Sequence, residues 1–144
     1  MKHFFISLIL LLVFGMNTFA SDTMVSPNVL RSFQKTFSTA KEVSWSAGSK
    51  VYKAEFVYRD QFITAYYDTD GSMLALTKNI SSTQLPLLLG NSLKKNYEGY
   101  WIAGLVEVST QFETTYYATL ENGDSKLILQ SAQNRWSVDR KIKK

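Results

Sequence analysis

The sequence predicts an α+β fold: a tandem arrangement in which a helix and four antiparallel strands are followed by a second helix and four more strands. Three observations lead there. Short runs of alternating polarity are separated by turn residues, which is the mark of antiparallel hairpins. An amphipathic helical stretch precedes each set of four runs. The two halves also echo one another, "FQKTF" (33–37) against "LKKNY" (93–97) and "YKAEF" (52–56) against "YYATL" (116–120).

The 144-residue chain opens "MKHFFISLILLLVFGMNTFASD". One lysine, an apolar core from Phe4 to Phe14 and small or polar residues up to Ala20 read as a signal peptide over residues 1–20, cut after Ala20. The apolar run is short for a membrane span of about 30 Å, and no stop-transfer charges follow it. No membrane span is expected after cleavage, and the chain is expected to be periplasmic or secreted. Residues 21–144 then form one domain, with repeat halves at about 26–80 and 81–140.

Ser26-Pro27 starts the first helix, serine as N-cap and proline at the first helical position. Leu30, Phe33 and Phe37 give it one apolar face. Strands follow at 42–47, 50–58, 61–68 and 72–79. Ser81 with Gln84 three residues on forms a capping box for the second helix, whose apolar face carries Leu85, Leu88, Leu89, Leu93 and Tyr97. Pro86 falls in its first turn and Gly90 weakens its middle. The remaining strands are 100–109, 113–121, 125–131 and 135–140. The basic end "RKIKK" (140–144) reads as a solvated tail.

Strand alternation assigns the faces. Tyr52, Ala54, Phe56, Ile63, Ala65 and Tyr67 share the helix-covered core with their second-half counterparts Tyr116, Ala118 and Leu120. Ile102, Val106, Val108, Leu127, Leu129, Trp136 and Val138 are assigned to it as well. The uncovered face is expected to carry Lys53, Glu55, Thr64, Tyr66, Trp101, Leu105, Thr115, Tyr117 and Thr119. A one-residue slip would reverse any of these assignments.

Composition narrows the chemistry. There is no cysteine, and the single histidine, His3, lies in the leader. Thiol catalysis, histidine-dependent triads and the usual zinc sites are thereby excluded. "DTDG" (68–71) resembles the start of a calcium loop, which needs oxygen ligands at positions 1, 3 and 5, glycine at 6 and glutamate at 12. Counted from Asp68, glycine falls at the fourth position and Asn79 at the twelfth, so the stretch is a hairpin turn. Asp68 with Asp70, or Glu55 with a neighbour, could supply paired carboxylates, but acids on turns and strand surfaces ordinarily face water. No glycine cluster cradles a phosphate. Export and a near-neutral body argue against nucleic acid. Neither an enzyme, a metal nor a cofactor is expected. Asn79-Ile80-Ser81 and Asp22-Thr23-Met24 match short glycosylation patterns.

An ordered set of motifs runs through the chain. Phe33, Phe37, Ala40, Lys41, Val43 and Trp45 are followed by "YKAEF" and "AYYDTDG", then Leu85-Pro86, "KKNYEGY" (94–100), Glu107-Val108 and "YYATL". Together they resemble the small exported PepSY-like proteins of Bacteroides-type bacteria, also described as β-lactamase-inhibitor-like, over about residues 27–140. The resemblance implies one curved, mostly antiparallel eight-stranded sheet with two helices on its convex side. The inhibitor that gives the family its second description is disulfide-bonded and this chain is not, so no inhibitory residue carries over.

Two functions are compatible with these readings. The first is an exported, non-catalytic protein-binding module, inhibitor-like in kind, that engages an unidentified envelope or external protein. Its candidate contacts are Tyr66, Trp101, Tyr117, Lys53, Glu55, Thr64 and Thr119 on the uncovered face, because binding hot spots are rich in Trp and Tyr. The alternative is a carrier or sensor of a small envelope ligand, a lipid or peptide, held between sheet and helices, which needs an apolar cavity of about 300 Å³ or more.

Overall fold

A computed structural model describes residues 24–144; the expected leader over residues 1–20 and Thr23 lie outside them. Helix α1 (Pro27–Thr36) leads into β1 (Lys41–Ala47), β2 (Val51–Tyr58), β3 (Gln61–Asp68) and β4 (Met73–Asn79). A 3₁₀ turn at Ser82–Gln84 and helix α2 (Leu87–Asn96) precede β5 (Trp101–Ser109), β6 (Thr114–Glu121), β7 (Ser125–Ala132) and β8 (Arg135–Lys143). The eight strands form one open sheet in sequence order, every neighbour antiparallel. The 3₁₀ turn and α2 bridge β4 to β5, and within each half the meander needs only short connections. Two of them are two-residue turns at Arg59-Asp60 and Gln133-Asn134, with φ of 50°, 60°, 49° and 63°. Both residues of each pair thus take the left-handed conformation that matches the strands' own twist.

Each helix covers one half of the same sheet face. Under α1, Val29, Phe33 and Phe37 meet Ala54, Phe56, Ile63, Ala65 and Tyr67. Ring centroids stand 4.9 Å apart for Phe33–Phe56, 4.7 Å for Phe37–Phe56 and 5.2 Å for Phe33–Trp45. Such close tilted pairs add to the burial of large apolar area. Under α2, Leu85 and Leu93 meet Leu105, Ala118, Leu120, Leu127 and Leu129. Trp136 ties β8 to the helix by donating its indole N–H to the Leu89 carbonyl at 3.0 Å.

The helices are turned slightly from the expected faces. Val29 takes the buried place expected for Leu30, at i and i+4 from Phe33, and Leu30 is exposed. Leu89 is buried and Leu88 exposed. The cause in the second case is that the Ser81 N–H donating to Gln84 Oε1 at 2.9 Å organises a separate 3₁₀ turn. The α-helix proper starts only after Pro86, so Leu85 is buried from outside its register.

Strand β5 corrects the expected faces. Ile102 pairs with Leu120 and Gly104 with Thr119, so Ala103 is an extra residue and the parity changes there. Leu105 therefore lies in the α2 core rather than on the uncovered face, while Val106 and Val108 lie on the uncovered face rather than in the core. Val138 pairs with the buried Leu129 but remains exposed on the edge strand. The basic end is no free tail. Arg140, Lys141 and Lys143 are paired residues of β8, opposite Ile128, Leu127 and Ser125. Both edge strands are bulged: β1 gains a residue between Lys41 and Ser44, where Glu42 has φ 53°, and β8 gains Asp139.

The "DTDG" stretch is the β3–β4 turn. Asp68 Oδ1 accepts the Asp70 N–H at 3.0 Å and the Ser72 N–H at 2.9 Å, which locks the bend. Gly71 has φ 93°, and a Cβ there would stand 2.8 Å from the Asn28 carbonyl oxygen. The turn packs directly on the first turn of α1, and only glycine fits.

Candidate functional site

The pairings place all seven candidate residues on the face that no described helix covers. One row across the sheet runs Ser46–Lys53–Tyr66–Ala75, and the next Ser44–Glu55–Thr64–Thr77–Val108–Thr115. A third runs Val57–Phe62 and, from the end of β4, Asn79–Val106–Tyr117–Gln130. Beyond it stand Gly104–Thr119–Ile128, and at the far end Trp101–Glu121–Lys126.

The structure does not expose these residues equally. Tyr66 is 2 % and Tyr117 4 % accessible, gathered with Ala75 and Val108 into a third apolar cluster. No described element lies over them. Their burial follows from the coiling of a large twisted sheet, which brings side chains of non-adjacent strands together on one side. The two tyrosines are thus the floor of this face rather than its contact surface. Burial, with the negative charge of Glu55 against a smaller opposing effect of the Thr77 hydroxyl, pushes the Tyr66 phenol up to about 12. Burial, with the charges of Asp139 and Glu113, does the same for Tyr117. Both stay protonated hydroxyls at any physiological pH.

What does face water is Phe62, 74 % accessible, and Trp101, 54 %. Phe62 was not among the expected contacts, although its parity with Thr64 and Tyr66 assigns it to this face. Trp101 lies 5.1 Å beneath the Lys144 ammonium, which pairs with Glu121 at 2.8 Å; Lys126 reaches the same carboxylate at 3.5 Å. These contacts hold the indole in place and give this end two cations for one anion.

Between Phe62 and the buried floor lies a groove of about 440 Å³. Its walls include Lys53, Glu55, Phe62, Thr64, Thr77 and Val106, with Tyr66 and Asn79. Lys53 is unusual. It is 7 % accessible, and its ammonium donates to Glu55 Oε2 at 3.1 Å while that glutamate stays half exposed. Lysine is rarely buried unless paired. A second groove of about 430 Å³ runs between α2 and the sheet, lined by Leu85, Leu87, Gly90, Leu93, Ile102 and Leu120 among others. Among the described residues no three His, Cys, Asp or Glu side chains converge in a way that could hold a metal ion. No described helix is long and apolar enough to cross a membrane. The chemistry such a surface offers is adhesion: exposed rings, hydroxyls and an ion pair whose lysine alone is buried.

Comparison with known proteins gives a fold and no more. No family model matches the chain, and no curated protein sequence matches it. Solved structures do match. A BLIP-like protein from Bacteroides fragilis is 15% identical, with a TM-score of 0.70 over 84% of this chain and 87% of its own. A DUF2874 family protein from Bacteroides ovatus is 18% identical, with a TM-score of 0.72 over 85% and 89%. A third, from Bacteroides eggerthii and provisionally described as periplasmic, is 15% identical, with a TM-score of 0.70 over 88% and 90%. The chain has the fold of the BLIP-like and DUF2874 proteins of Bacteroides.

Proposed function

We propose that the protein is an exported, non-catalytic binding module that engages an envelope or external protein through the uncovered sheet face. One observation carries the reading: the face opposite the helices holds a groove whose rim presents the exposed Phe62, with the exposed Trp101 farther along the same sheet surface. Aromatic anchors beside a floor that excludes water are the usual make-up of a protein-binding hot spot. The BLIP-like likeness and the PepSY-like motifs are compatible with it. Location outside the cytoplasm rests on the leader expected at residues 1–20 and on the periplasmic description of one structural neighbour.

The test is capture. Cross-linking pull-down from envelope extract with wild type identifies the partner; Phe62→Ala with Trp101→Ala should abolish its capture at unchanged melting temperature. Leu88→Ala, exposed on α2, should capture normally. Undiminished capture by the double variant removes the uncovered face as the binding surface.

The groove beside α2 favours a second reading, a carrier of one small apolar ligand. Its volume exceeds the lower bound for such sites of about 300 Å³, and Leu87 and Ile102 line it while exposed. Mass spectrometry of organic extracts from the purified protein would show a stoichiometric lipid if this reading holds, and none if the first one does.

A further inference from the structure

We infer that the groove on the uncovered face recognises a carboxylate carried on an extended segment of the partner protein, seated on Lys53, with an apolar side chain of the same segment against Phe62. The inference rests on the binding reading above and specifies its chemistry. It begins with a cation in the wrong place. A lysine on a sheet surface normally extends its stem and keeps its ammonium in water. Lys53 is instead buried among Ser46, Tyr66 and the groove wall, so its charge requires an anion.

The anion it has is a poor fit for permanent use. Glu55 belongs to the same strand and its carboxylate is half exposed, so it can turn into water at little cost. The ammonium has three donors, and among the described residues one contact to an acceptor is present, Glu55 Oε2 at 3.1 Å. Beside Lys53 in the ladder, the Ser46 hydroxyl oxygen is buried without a hydrogen-bond partner. A buried hydroxyl without a partner in a native protein calls for one. Glu55 thus occupies the place of an incoming carboxylate, which would add hydrogen bonds that Glu55 does not make.

The other end of the groove fixes the second feature. Phe62 and Tyr66 are four residues apart on β3 and on the same face, about 13 Å along the strand. Tyr66 pairs with Lys53. An extended segment with an acid at one position and an apolar residue four positions away puts both side chains on one side at that spacing. Thr64 lies between them, with a hydroxyl that suits the hydrogen-bonding groups of such a backbone.

The experiment uses two probe peptides, acetyl-Phe-Ser-Thr-Ser-Glu-amide and acetyl-Glu-Ser-Thr-Ser-Phe-amide, with their Gln counterparts, titrated against the isotope-labelled protein by NMR. The Glu form in one of the two orientations should bind more tightly than its Gln form by about tenfold, the scale of one hydrogen bond to a charged group. Lys53→Met should erase that preference, and Glu55→Gln should strengthen the Glu peptide several-fold by removing the internal competitor. Equal affinity of Glu and Gln forms, a preference that survives Lys53→Met, or no peptide binding at all overturns the inference. Sodium acetate shifting the same signals at the same concentration overturns its peptide part. None of these outcomes touches the broader reading, which falls only if capture survives Phe62→Ala with Trp101→Ala.

Discussion

Replacing Gly71 by alanine isolates what one close approach contributes to this fold. Two effects add at that position. At φ 93° an L side chain is strained, at about 1–2 kcal/mol on the scale of the left-handed region. The new Cβ would also stand 2.8 Å from the Asn28 carbonyl oxygen and 2.9 Å from its carbon. Both are backbone atoms of α1's first turn, so the helix or the turn must move. Overpacking of that kind costs about 1–3 kcal/mol. The sum, about 2–5 kcal/mol, is a large share of the 5–15 kcal/mol that holds typical domains together. Gly99 supplies the control, with φ 86° and nothing within 4 Å of a built Cβ. Gly99→Ala should lose only the conformational part, and Gly123→Ala, with open space and no positive φ, should be close to neutral. Urea denaturation followed by far-UV circular dichroism reads all three. If Gly71→Ala is no less stable than Gly99→Ala, the packing of the β3–β4 turn on α1 is not what the geometry says.

Phe56→Ala removes the ring that Phe33 and Phe37 both pack on, and should cost about 3–5 kcal/mol by the same denaturation assay. An alkaline titration tests the buried phenols. Tyr66, Tyr67 and Tyr117 are each raised from 10.0 to about 12, foremost by burial. Between those values the unfolded chain has released protons that the folded one still holds. Their contribution to stability is therefore constant below about pH 10 and is lost as pH rises toward 12. Urea midpoints across that range should decline, and the 295 nm absorbance of these three residues should appear with unfolding rather than before it. Tyr66→Phe should make the decline shallower.

The fold was legible wherever strands run without interruption. In β2, β3, β6 and β7 the alternation of Tyr52-Ala54-Phe56, Ile63-Ala65-Tyr67, Ala118-Leu120 and Leu127-Leu129 names the side that faces the helices. It failed in β5 because Ala103 is inserted between Ile102 and Gly104, and only the glycine hints at a bulge. The candidate face was legible by the same alternation, but the exposure on it was not. Whether Tyr66 and Tyr117 meet water depends on how strands on either side of the β4–β5 pairing coil together, and no local pattern encodes that. Phe62 has the same parity, but at the start of its strand alternation has too few residues to single it out. The burial of Lys53 has no sequence signal, because alternation gives a side and not a depth.

The bulges in β1 and β8 bear on how this protein behaves when many copies share one compartment. An open meander ends in two strands with unsatisfied backbone groups, and joining the first strand of one copy to the last of the next would extend without closing, as a ribbon. Here both templates are spoiled. The extra residue between Lys41 and Ser44, with Glu42 in a left-handed conformation, breaks the rhythm of donors and acceptors at one margin. Asp139 breaks it at the other, where Arg140, Lys141 and Lys143 also set charged side chains along the free edge. A sheet that cannot polymerise through its margins can stay open, and its broad uncovered surface remains free for a different kind of molecule.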